Sequence, residues 1–216
     1  MPEKIRIISP LNRSYPENLR LLPNPPGTLY TLGKFKPADQ LAVAVIGTRI
    51  MSSYGKKVTQ KIVTDLVKHK VTIVSGMARG VDTVAHLSAL KAGGRTIAVL
   101  GSGLNVIYPP ENENLFHKIT QSGAVLSQFS PETKPLGKNF LLRNQLISGL
   151  AKAVLVIEGA KRSGTISTAT HAANQGKEVF ATPGSIFSPH SEASHFLIKE
   201  GAHLATSAAD ILDMIL

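Results

Sequence analysis

Seven cations of this 216-residue chain gather around points where short apolar runs give way to small or hydroxylic residues. Arg49 closes Gly47-Thr48-Arg49. Arg79 lies within Ser75-Gly76-Met77-Ala78-Arg79-Gly80-Val81-Asp82. Lys134 and Lys138 come ahead of Arg143, and Lys161 and Arg162 precede Ser163-Gly164-Thr165. Phe140 stands between Lys138 and Arg143. Cations pair phosphates and an aromatic ring stacks a base, so this combination suits single-stranded nucleic acid. Taken alone, Phe140 is equally well a buried residue opening a helix. Each Gly-Ser turn, taken alone, reads better as a tight connection with no ligand.

Other chemistries find little support. The chain has no cysteine, which excludes disulfides, thiolate metal sites and cysteine catalysis. The seven histidines show no metal spacing on a helix; His190 and His195, with Glu192, are expected in a solvated loop. No phosphate-loop or nucleophile-elbow motif is present. Gly101-Ser102-Gly103 has Val106 where a dinucleotide fingerprint needs its third glycine, and it follows the third regular strand rather than the first. Glu158 ends a strand and is either a general base or a cap on Ser163-Gly164-Thr165; the cap is preferred. No catalytic residue, metal or cofactor is assigned.

The elements that must position the cations alternate regularly. Apolar runs predict strands at 41–46, 71–74, 96–100, 124–126, 153–157 and 178–181. Helical spacing predicts helices at 56–69, 82–92, 113–121, 140–150 and 166–174, with further helical pieces at 196–198 and 208–216. Residues 1–40 are rich in proline and read as a turn-rich lead-in with at most one short strand, 28–32. The lead-in is expected to pack on a single domain, 41–216. Strands apolar on both faces, alternating with helices, predict a doubly wound α/β fold: a mostly parallel, Rossmann-like sheet with helices on both faces. Ligands of such sheets sit outside the carboxyl ends of the strands, where the cations collect.

Composition agrees with a polyanionic partner. Lys and Arg number 24 against 14 Asp and Glu, a formal charge of +10. No apolar stretch reaches membrane length and the first ten residues lack a signal-peptide core, so a cytoplasmic protein with no membrane partner is expected.

The ordered motifs resemble the DNA processing protein A family (DprA, also called Smf). The lead-in match is Tyr15-Pro16, Pro25-Pro26, Leu29-Tyr30 and Gly33. Then come Val45-Ile46-Gly47-Thr48-Arg49 with Ser53-Tyr54-Gly55, and the Ser75-to-Asp82 stretch with His86. Gly94 to Gly103 with Tyr108-Pro109 and Asn112 follows, then Phe140 and Arg143-Asn144 with Ile147-Ser148-Gly149-Leu150. Glu158, Ser163-Gly164-Thr165, Thr168-Ala169, Pro183-Gly184, Leu197-Ile198 and Gly201-Ala202 complete the set.

This resemblance implies a Rossmann-like domain that binds single-stranded DNA, forms a homodimer and delivers strands to the RecA recombinase in natural transformation. It implies no enzymatic activity. Its DNA pocket maps onto Arg49, Lys138, Phe140, Arg143 and Asn144; the charge pattern adds Arg79 and Arg162. Arg49 and Arg143 are both expected to pair phosphates. Gln128 replaces a usual Glu, Gln145 a frequent Arg, and Ala193-Ser194-His195 a Gly-x-Asn loop, which puts that loop's geometry in question. The chain starts at the lead-in and stops at Leu216, so the helical N-terminal domain and C-terminal winged helix of some members are not expected.

Two other functions compete. A nucleotide glycosidase of the lysine-decarboxylase-like class needs P-G-G-x-G-T-x-x-E. The nearest stretch, 158–165, lacks the double glycine, and Ala169 and Thr170 stand where the Glu belongs. A sensor of a small phosphorylated ligand would use the same edge without preferring longer strands.

Overall fold

The computed structural model describes residues 4–161 and 163–216. Within the lead-in, β1 (Arg6–Ile8), α1 (Glu17–Arg20) and β2 (Leu29–Gly33) form first. Alternation then runs β3 (Ala42–Ile46), α2 (Ser53–Lys68), β4 (Thr72–Ser75), α3 (Val81–Lys91), β5 (Thr96–Val99), α4 (Glu113–Ser122) and β6 (Ala124–Ser127). It continues α5 (Gly137–Leu150), β7 (Ala153–Val156), α6 (Gly164–Asn174), β8 (Glu178–Ala181), α7 (Glu192–Lys199), β9 (His203–Leu204) and α8 (Ala209–Ile215).

Among the described residues, nine strands make one sheet in the order β1-β2-β6-β5-β4-β3-β7-β8-β9. The run from β6 to β9 is parallel; β2 joins β6, and β1 joins β2, antiparallel. Side chains alternate across each strand. Ala42, Ala44 and Ile46 therefore meet one core with Leu146, Ile147 and Ala169, beneath α1, α5, α6 and α7. Val43 and Val45 meet the other, with Ile62, Leu66 and Ala85, beneath α2, α3 and α8. The α4 helix closes a third cluster through Leu115, Phe116 and Ile119. The sheet is thus covered on both sides, as its continuous apolar strands require.

The lead-in is more structured than its sequence suggests. It supplies two strands and a short helix, where one strand at most was expected. Its end is tied down by Asp39, whose carboxylate accepts from Arg95 Nε and Nη2, each at 2.8 Å, and from Thr72 Oγ1 at 3.0 Å. The second correction is α7. Ala193-Ser194-His195 is no altered loop: it lies in the first turns of a helix, with Ala193 and Ser194 buried. Ala193 N donates to Gly159 O at 2.8 Å, and half-buried His195 contacts Gly184 O through Nε2 at 3.0 Å.

Candidate nucleic-acid interface

The chain reverses its direction of winding at β3, which lies between β4 and β7. The crevice at such a switch point, outside the strand carboxyl ends, is the ligand position of open α/β sheets. Ends of β5, β4 and β3 are neighbours, about 5 Å apart each. They carry in turn the Tyr108 segment, Arg79 and Arg49.

Two turns lock each other to aim Arg49 outward. Gly80 has φ +75°, and a Cβ there would lie 2.2 Å from Thr48 O and 2.8 Å from the Arg49 carbonyl. Only glycine fits both the dihedral and the space. Val81 N donates to Thr48 O at 3.2 Å, and Thr48 N donates to Glu158 O at 2.7 Å. Arg49 is left exposed, with no carboxylate partner among the described residues.

The Gly101-x-Gly103 pair has a packing role. A Cβ on Gly101 would lie 2.6 Å from the Phe140 ring, so the ring rests on bare backbone. A Cβ on Gly103 would lie 2.1 Å from Pro131 O, where the segment between β6 and α5 crosses. That segment is held by Gly103 N donating to Thr133 O at 2.8 Å and Asn105 N donating to Pro131 O at 3.0 Å. Phe140 is consequently half-buried: one side of its ring is against Gly101, and neither simple alternative, free stacking ring or buried helix opener, describes it alone.

Around Phe140 a cation–aromatic row assembles. The Arg49 guanidinium lies 5.4 Å from the Phe140 centroid, and the Tyr108 ring lies 5.7 Å away. The Arg79 guanidinium sits 5.9 Å from the Tyr108 centroid. Lys138 is exposed one turn-edge away, at the start of α5. Tyr108 and Glu111, which binds Arg79, are members of this row that charge spacing does not pick out; an aromatic in the connection between β5 and α4 is the available signal.

Arg143 reaches the same edge but faces inward, which corrects its expected pairing with phosphate. It is 4% exposed. Its Nη1 donates to Gly76 O at 2.6 Å and also to Val99 O, joining the ends of β4 and β5. Its guanidinium lies 5.8 Å from the Phe140 centroid. Burial lowers its pKa to about 10, opposed by the charge of Asp82. Asp82 is itself pushed upward by burial, with Arg143 acting against that rise. Gly76 separates the two groups: a Cβ there would be 2.3 Å from Arg143 Nη1 and 2.6 Å from Asp82 Oδ2. Asn144 is also buried, and its Nδ2 donates to Gly164 O at 3.2 Å, fixing α5 to the start of α6. Both residues support the row from below. Arg162 lies outside the described residues.

Glu158 caps a different helix from the one expected. Its Oε2 accepts from Ser52 N at 2.9 Å and its Oε1 from Ser52 Oγ, at the start of α2 rather than α6. The carboxylate is buried with both oxygens engaged.

The family model for DNA recombination-mediator protein A matches residues 6–216. The chain belongs to this family. Relatives of the DNA processing protein A family include Protein Smf of Escherichia coli K12, 45% identical over 92% of this chain and 54% of that protein. DNA processing protein DprA of Streptococcus pneumoniae is 41% identical over 97% of this chain and 74% of its own length. The chain thus spans about half of the Escherichia coli relative. Its X-ray counterpart from Streptococcus pneumoniae superposes with a TM-score of 0.93, covering 99% of this chain and 75% of that one. A Helicobacter pylori DNA processing protein A, described for its single-stranded DNA binding mode, gives 0.87 at 30% identity, over 98% and 95% of the two chains. Molybdenum cofactor binding protein of Rippkaea orientalis, at 0.57 and 19% identity, shares the fold alone.

Proposed function

We propose that this member of the family binds single-stranded DNA along the carboxyl edge of β5, β4 and β3. The observation that carries this is the exposed Arg49 guanidinium 5.4 Å from a Phe140 ring seated on Gly101. A cation and a ring on one open edge take a phosphate and the adjoining base. Arg49, Lys138 and Phe140 make the contacts; Arg143 and Asn144 hold their platform, and Arg143 adds positive potential from beneath. The formal charge of +10 draws the strand in. Support comes also from the Helicobacter pylori relative, whose description names single-stranded DNA binding.

We assign it no catalytic step, since Glu158 has both oxygens committed to Ser52. Following its family, the chain acts as a homodimer in the cytoplasm and passes strands to the RecA recombinase. Among the described residues no helix is long and apolar enough to cross a membrane. Competition between an oligothymidylate and a duplex of equal length tests the proposal. The single strand wins if bases stack on Phe140, because a duplex hides its base faces; a preference for duplex overturns it.

A further inference from the structure

Arg79 differs from Arg49 in one respect: its hydrogen-bonding fork is already occupied. Glu111 lies in the short 3-10 helix Pro110–Asn112, two residues after Tyr108-Pro109. Arg79 Nη2 donates to Glu111 Oε2 at 3.0 Å, and Arg79 Nε donates to Oε1. A carboxylate presents two oxygens to a guanidinium as a phosphate does, so the two anions are alternatives for one fork. The pair is open to water, with side chains 50% and 51% exposed. Each partner favours the other's charged form: Arg79 rises, and Glu111 falls, from its ordinary pKa. An exposed pair of this kind separates at little cost. The guanidinium it releases already sits at the aromatic end of the row, beside Tyr108.

We propose that Glu111 is an internal competitor for a DNA phosphate, holding Arg79 in reserve so that the groove grips a strand with one contact fewer than its cations allow. This rests on the groove being the single-stranded DNA site. Two further features make the assignment specific. Asn112 Nδ2 donates to Met77 O at 2.9 Å and to Thr83 Oγ1 at 2.8 Å, which fixes the Glu111 backbone against the Arg79 turn. Glu132 is also exposed near the β5 turn but accepts from neutral Asn105, so it supplies a control for charge alone.

Binding of a fluorescent oligothymidylate over a salt series tests this with four variants. Glu111→Gln is expected to bind about fivefold tighter than the parent at low salt, with a log–log salt slope steeper by ~0.7, one added phosphate contact. Glu132→Gln should leave that slope unchanged. Arg79→Ala leaves Glu111 unpaired beside the strand and should bind more weakly than the parent, with the salt slope unchanged because that cation made no phosphate contact. Glu111→Gln combined with Arg79→Ala removes both charges of the pair and should bind no more tightly than the parent, with the parent's slope. The proposal is overturned if Glu111→Gln binds no tighter than Glu132→Gln, or if its gain survives loss of Arg79. Arg49→Ala, run alongside, separates the two levels. A loss there with no gain at Glu111 rejects only the competitor; parent-like binding by Arg49→Ala rejects the groove itself.

Discussion

Arg143 and Arg49 look alike in the sequence, each a cation beside the candidate edge, yet they do different work. Arg49 follows a strand by a three-residue turn and has solvent beyond it. Arg143 comes one turn after Phe140 on α5, and the helix rotates it inward onto the carbonyls of Gly76 and Val99. Residue type and spacing located both; which way a helical side chain faces depended on where α5 docks, which a short motif does not encode. The difference predicts separate phenotypes. Arg143→Ala leaves Asp82 buried without its counter-charge and should lower stability by about 3 kcal/mol or more, read from the urea midpoint. Arg49→Ala should leave that midpoint within about 0.5 kcal/mol of the parent's, as exposed substitutions do. Equal losses of stability in the two variants would contradict the assignment of one to the interior and the other to the groove.

At the scale of elements, the regular strands and helices from β3 onward were legible to within a few residues, because their apolar periods are strong. The failures have a common cause. Three-residue β1, four-residue α1 and two-residue β9 are too short for a period to show, and α7 begins on Glu-Ala-Ser-His, which reads as polar loop until Gly159 is seen packing on Ala193. Turn chemistry is ambiguous in the same way: Gly101 and Gly103 read as an incomplete nucleotide motif, and the structure uses them for close packing. Gly101→Ala should therefore act through Phe140. It should weaken single-stranded DNA binding in the manner of Phe140→Ala, and a variant with intact affinity would count against the seating of that ring. At the start of β5, Thr96 Oγ1 donates to Ile73 O, so His86 Nδ1–H on α3 donates to Thr96. Burial, then the Arg143 charge, lowers the His86 pKa to about 3. The unfolded chain, near 6.5, takes up the proton that the folded chain refuses. This contribution to stability is complete above about pH 6.5 and drains away as pH falls toward 3. Between pH 7 and 5.5 it should cost about 1 kcal/mol. Urea midpoints at the two pH values measure this, and His86→Gln should flatten the difference.

For the whole molecule, net charge and topology act together in the proposed function: the sheet's switch point sets the crevice, and a positive field would draw a polyanion to it. Pairing of two copies, as proposed, would place two grooves on one strand and raise affinity through effective concentration. A two-fold dimer in sedimentation at tens of micromolar, the order of weak-interface affinities, is the expected state; a strict monomer would remove that gain. The central claim is that one groove divides its grip between phosphate pairing and base stacking. Salt-dependent binding of one oligothymidylate by the parent, Arg49→Ala and Phe140→Ala tests this most directly. Arg49→Ala should lower affinity and reduce the log–log slope by ~0.7, one contact. Phe140→Ala should lose ~1–3 kcal/mol per stacked base with the slope unchanged. Folded variants that both bind like the parent, or that both change only the slope, would contradict it.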